Sequence, residues 1–124
     1  ANYGFIPRTY ANDNDPLDVL VLCSEEILPM TIVECSPLGV LIMEDGGSRD
    51  EKIIAVPVND PNYNCYKDID ELPSHRMDEI EHFFEVYKTL EKGKTTSIIE
   101  VQNREAAEGV IQTCIDEYIK KFQM

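Results

Sequence analysis

Between positions 13 and 18 the chain reads Asp13-Asn14-Asp15-Pro16-Leu17-Asp18, three carboxylates within six residues, directly ahead of an apolar run. Crowded carboxylates repel one another, and a bound cation is one way to make such an arrangement favourable. Pro16 biases Asp15 toward extended backbone, where alternate side chains share a face. Asp13 and Asp15 are therefore placed to converge, and Asp18 stands at the first position of the strand that follows. The same letters also suit an Asp/Asn/Pro turn on an acidic surface. A calcium EF-hand does not fit: counted from Asp13, the sixth position is Asp18 where Gly is required, and the twelfth is Ser24 where Glu is required.

A second acidic stretch reads Asp45-Gly46-Gly47-Ser48-Arg49-Asp50-Glu51-Lys52. Its two glycines permit a tight reversal between strands, which would return Asp45 and Asp50 to one side; taken alone it is also an ordinary solvated hairpin. If both loops open at one end of the fold, Asp13, Asp18, Asp45 and Asp50 make an oxygen-rich site. Hard ions such as Mg²⁺ prefer that environment, keeping several waters and sharing phosphate oxygens. Lys52, Lys88, Tyr87 and Tyr3 supply the opposite character. Each has a plainer reading too, the lysines as solvated surface groups and the tyrosines as packing. His75 and His82 lack metalloprotease spacing, and no Ser or Cys nucleophile motif supports a covalent acyl mechanism.

The frame for these residues is legible in the hydrophobic pattern. Short apolar and β-branched runs at 18–23, 31–35, 39–43 and 53–58, each bounded by Pro, Gly, Asp or Asn, predict strands. Short connections predict an antiparallel meander, hence a small barrel or a twisted sheet. The period then changes: Met77, Ile80, Phe83, Phe84, Tyr87 and Leu90 recur at helical spacing, with Pro73 and Ser74 at the start and Gly93 as the stop. A further strand is predicted at 95–101. From an Asn103 cap onward, Ala107, Val110, Ile111, Cys114, Ile115, Tyr118, Ile119 and Phe122 form the stripe of a final helix.

Composition narrows the function classes. The 124 residues suit one domain, and no apolar run is long enough to span a bilayer. A net charge of −13 repels nucleic acid and anionic lipid, so neither nucleic acid nor membrane is expected as a partner. Cys23, Cys35, Cys65 and Cys114 stand apart, without zinc-ligand spacing, and read as reduced core thiols. That predicts a cytoplasmic protein, or one of an organelle stroma or matrix.

The run DNDPLDV at 13–19 resembles the Asp-x-Asp-Pro-x-Asp signature of the soluble family I inorganic pyrophosphatases. The resemblance continues in NYGFIP at 2–7, in GVLIMEDGG with Asp50 and Lys52, and in HFFEVYKTLEKGK at 82–94, covering nearly the whole chain. It implies an α+β, mainly β fold: a small OB-like five-stranded barrel flanked by two main helices, forming a homo-oligomer. It implies Mg²⁺-dependent hydrolysis of pyrophosphate to two phosphates by a metal-activated water, with no covalent intermediate. Asp13, Asp18, Asp45 and Asp50 resemble the metal ligands, and Asp18 the one that bridges two ions. Asp15 resembles the catalytic base, and Tyr3, Lys52, Tyr87 and Lys88 the groups that hold phosphate. Family members carry a further N-terminal portion. Residues 1–124 are thus expected to be a single pyrophosphatase domain lacking that segment, inactive or nearly so by itself. The competing readings are an inactive truncated relative and an OB-type binding module, which would need a basic groove with aromatic platforms.

Overall fold

The computed structural model describes residues 1–45, 48–89 and 96–123, and at 45, 48, 87–89, 96 and 97 it describes the backbone alone. Five strands form one sheet: β1 (Asn2–Ile6), β2 (Leu17–Val21), β3 (Cys35–Asp45), β4 (Ser48–Pro57) and β5 (Thr96–Gln102). Their spatial order is β1-β2-β4-β3-β5. Helix α1 (Ser74–Thr89) follows a single 3-10 turn at Ile69–Glu71, and α2 (Arg104–Phe122) ends the chain. This is the small, barrel-like α+β architecture that the resemblance implies. No helix among the described residues is long and apolar enough to cross a membrane.

Strand alternation divides the core in two. Leu20, Leu41, Met43, Ile54 and Val56 pack on one face with Ile80 and Phe84 of α1, while Leu17, Val19, Val21, Val40, Ile42, Ile53 and Ala55 pack on the other with Ala107 and Cys114 of α2. Successive residues of one strand thus serve opposite helices, as the period of two requires. Helix α2 begins where the sequence predicts: the Asn103 side chain accepts the amide of Ala106 at 3.0 Å, satisfying an otherwise orphan donor. The far end of its predicted stripe is less covered than expected, with Ile119 and Phe122 exposed.

The strand pattern departs from the predicted meander in three respects. β1 was not predicted as a strand, yet it pairs antiparallel with β2. The predicted strand at 31–35 does not form before Cys35: Met30, after Pro29, takes a left-handed backbone with φ 69°, and Ile32 points into solvent. Instead β3 runs unbroken from Cys35 through the predicted 39–43 strand, absorbing Pro37 in a bulge between Pro37 and Gly39. Gly39 is needed there, since a Cβ would sit 2.6 Å from the Gln102 carbonyl oxygen and 2.8 Å from the Ile69 side chain. Finally, β4 folds back against β3 and inserts beside β2, which it meets in parallel, so not every neighbour in the sheet is antiparallel. Gly46, Gly47 and Gly93 lie outside the described residues. Among the cysteines, Cys114 is buried, but Cys65 is exposed and is not a core thiol.

Candidate functional site

The insertion of β4 beside β2 builds the site. In their parallel register Asp18 is opposite Lys52, and Asp50, two residues earlier on β4, shares a face with Lys52. Both strands enter the sheet from the same end, so their leading charged residues are neighbours. Along β2 and β4 this face then turns apolar at Leu20 and Ile54, where α1 covers it. Asp18 and Asp50 therefore sit at the rim of a core, partly shielded from water.

Asp13 reaches the same rim from the loop between β1 and β2. Buried Thr9 closes that loop: its hydroxyl donates to the Ile6 carbonyl at 2.5 Å and accepts the Leu17 amide at 2.9 Å. The Tyr10 amide donates to the Cys114 carbonyl of α2 at 3.0 Å, and the Ala11 amide to the Asp15 carbonyl at 2.9 Å. Asn14 takes a left-handed backbone, φ 65°, and accepts the Tyr10 hydroxyl at 2.9 Å. The turn at Asn14 interrupts the extended run expected from Asp13 to Asp15. The Asp15 amide donates to Asp13 Oδ1 at 3.1 Å.

Ligand atoms of Asp13, Asp18 and Asp50 all lie within 4.8 Å of one another. Three acidic oxygens at that spacing fit a hard divalent ion that completes its shell with water and substrate oxygens. Burial raises the Asp13 carboxyl above its ordinary range, the Asp15 amide opposes that, and the charges of Asp50, Asp18 and Asp15 add to the rise. Such mutual repulsion is what a cation would relieve.

Lys52 is not a solvated surface lysine. It is 5% exposed, with Nζ 2.5 Å from Asp18 Oδ2 and 2.9 Å from Asp50 Oδ2, and 5.6 Å from the centre of the Tyr3 ring. Burial lowers the pKa of its ammonium, but hydrogen bonds with Asp18, Tyr3 and Asp50 outweigh this and raise it well above the usual lysine range. Tyr3 stacks on Phe83 and meets Phe84 edge-on, at centroid distances of 6.2 and 6.3 Å. Burial is also the main cause of the upward shift of its phenol, which Lys52 opposes. It remains protonated and able to donate.

The structure thus brings Tyr3, Asp13, Asp18, Asp50 and Lys52 together. Asp15 lies on the exposed side of the turn, next to Asp13 but outside the three-carboxylate convergence. The side chains of Asp45, Tyr87 and Lys88 lie outside the described residues. Sequence reasoning passed over Thr9 and Asn14, which set the loop. The available signals were a Thr ahead of an Asx-rich run and the tolerance of Asn for positive φ.

A family model described as inorganic pyrophosphatase matches residues 1–119. A Haloferax volcanii inorganic pyrophosphatase is 42% identical over 122 residues, which are 98% of this chain and 69% of that protein. The solved structure of the Helicobacter pylori inorganic pyrophosphatase is similar with a TM-score of 0.89 at 43% identity, covering 95% of this chain and 71% of that one. A Trypanosoma cruzi vacuolar soluble pyrophosphatase, truncated at its N-terminal domain and solved in complex with PPi, is similar with a TM-score of 0.88 at 27% identity, over 99% of this chain and 53% of that one.

Proposed function

As a member of the inorganic pyrophosphatase family, whose reaction splits pyrophosphate into two phosphates, this chain is a hydrolase, and we propose that it works at the rim where Asp13, Asp18 and Asp50 converge. The observation that carries the placement is that convergence, reached from two segments far apart in sequence and flanked by a buried ammonium.

Asp13, Asp18 and Asp50 hold the ion, with Asp45 a fourth ligand by resemblance. Mg²⁺ held by these oxygens supplies acidification of the attacking water and neutralisation of phosphate charge. The carboxylate of Asp15, exposed beside the cluster, takes the proton of that water. Lys52 and Tyr3 donate to phosphate oxygens, where charge grows as the bridging bond breaks. Tyr87 and Lys88 complete this donor set by resemblance. Water attacks phosphorus directly, the leaving group is phosphate, and no side chain is phosphorylated.

The test is phosphate release from pyrophosphate in Mg²⁺ and in EDTA, by the chain joined to the N-terminal portion that family members carry. Release is expected only with Mg²⁺, and equal release in EDTA would overturn the metal assignment. Asp15→Ala should bind Mg²⁺ as before but turn over about 10² to 10⁴ times more slowly. Undiminished turnover would remove Asp15 from its role.

A homo-oligomer in a reducing, cytoplasmic compartment completes the proposal. The exposed apolar run of Leu28, Met30 and Ile32 supports self-association, and sedimentation would count the subunits. Four free cysteines support the compartment.

A further inference from the structure

Lys52 is placed at odds with a simple division into metal ligands and phosphate donors. Its ammonium touches Oδ2 of both Asp18 and Asp50, two of the three carboxylates whose oxygens converge. Mg²⁺ binds oxygen ligands at about 2.0 to 2.1 Å. On those same oxygens it would lie within a few ångströms of Nζ, in a partly desolvated pocket where like charges interact strongly. The two cations therefore compete for one pair of carboxylates.

We propose that Lys52 is an internal counter-ion to Asp18 and Asp50 that a divalent ion displaces, so that loading the metal is the event that frees the Lys52 ammonium for an anionic substrate. This rests on the assignment of Asp13, Asp18 and Asp50 as metal ligands. It goes further in making Lys52 a competitor of the ion before it is a partner of the substrate. The arrangement has a clear logic: the lysine balances the buried carboxylates, and the ion takes over that balance. Nζ lies over the Tyr3 ring, so an aromatic face continues to favour the ammonium as it leaves the carboxylates. Tyr3 is itself held against Phe83 and Phe84 of α1, so its ring keeps its place beside the ammonium.

The experiment is titration calorimetry of the full chain with Mg²⁺ alone, without substrate. Lys52→Met is expected to bind Mg²⁺ on the order of tenfold more tightly than the parent while losing turnover, since it removes both the competitor and a repelling charge. Lys52→Arg keeps the charge and should not show the gain. A second measurement uses the parent protein: amine acetylation mapped by mass spectrometry, at Mg²⁺ concentrations from zero to saturation. Lys52 is nearly inaccessible as it stands, and its labelling should rise several-fold along the Mg²⁺ binding isotherm. Unchanged or weaker Mg²⁺ binding by Lys52→Met, or flat labelling of Lys52 in the parent, would overturn the proposal. Neither readout depends on hydrolysis, so absent pyrophosphate turnover in the chain joined to the family's N-terminal portion would count separately against the reaction assigned above.

Discussion

The two faces of the sheet obey the same alternation but use it differently. Toward α2, the inward positions of β2 are apolar throughout, at Leu17, Val19 and Val21, and those of β4 are apolar at Ile53 and Ala55, after Arg49 and Glu51 at its outer end. Toward α1, the same strands place Asp18, Asp50 and Lys52 first and become apolar only at Leu20 and Ile54. The first face contributes packing. The second gives up part of its packing to gather charge at a rim, and the apolar floor beneath is what makes that charge effective, because water there is partly excluded.

Mutations on the two faces should separate these contributions. Phe84→Ala, on the charged face, and Ile53→Ala, on the other, should cost roughly 3–5 and 2–5 kcal/mol of stability respectively. Calorimetry should then show Mg²⁺ affinity intact in Ile53→Ala but weakened in Phe84→Ala, because Phe84 packs with Leu20 and Ile54 in the apolar floor beneath Asp18 and Asp50. Equal affinities would mean that the faces are not functionally distinct. Asp18→Asn should weaken Mg²⁺ binding at least about tenfold, roughly 1.4 kcal/mol or more, and an unchanged isotherm would count against Asp18 as a ligand. Gly39→Ala should destabilise by about 1–3 kcal/mol through overpacking against β5 and Ile69, read by denaturant melts. Asn103→Ala should cost about 1 kcal/mol through the lost α2 cap, with Mg²⁺ affinity unaffected. The smallest effect sharpens the contrast most. Asp13→Asn, which removes a carboxylate disfavoured by burial and by its neighbours, should slightly raise the melting temperature in EDTA yet weaken Mg²⁺ binding.

The helices and the acidic segments were readable because their signals are local. Asn103 announces α2, Ser74 opens α1, and the Asp-rich run ahead of Leu17 marks the loop that carries Asp13. What escaped is set by distant partners. Thr31, Ile32 and Val33 have the composition of a strand, but the left-handed Met30 turns that stretch away, so propensity loses to context. Pro37 looked like a break, yet a bulge lets β3 continue through it. The insertion of β4 between β2 and β3 leaves no trace in hydrophobic periodicity, and with it went the pairing of Asp18 with Lys52. A lysine at the start of an apolar strand reads as a surface group until its cross-strand neighbour is known.

The parallel pairing of β2 with β4 also bears on how the protein comes to be. Asp18 and Lys52 are 34 positions apart in sequence, so bringing their strands together is a non-local closure of the kind that slows folding. A chain caught before that step offers an ion only the acidic stretch from Asp13 to Asp18, without Asp50. A divalent ion held across Asp13, Asp18 and Asp50 would therefore favour the folded chain over the unfolded one, and slower unfolding would be its kinetic signature.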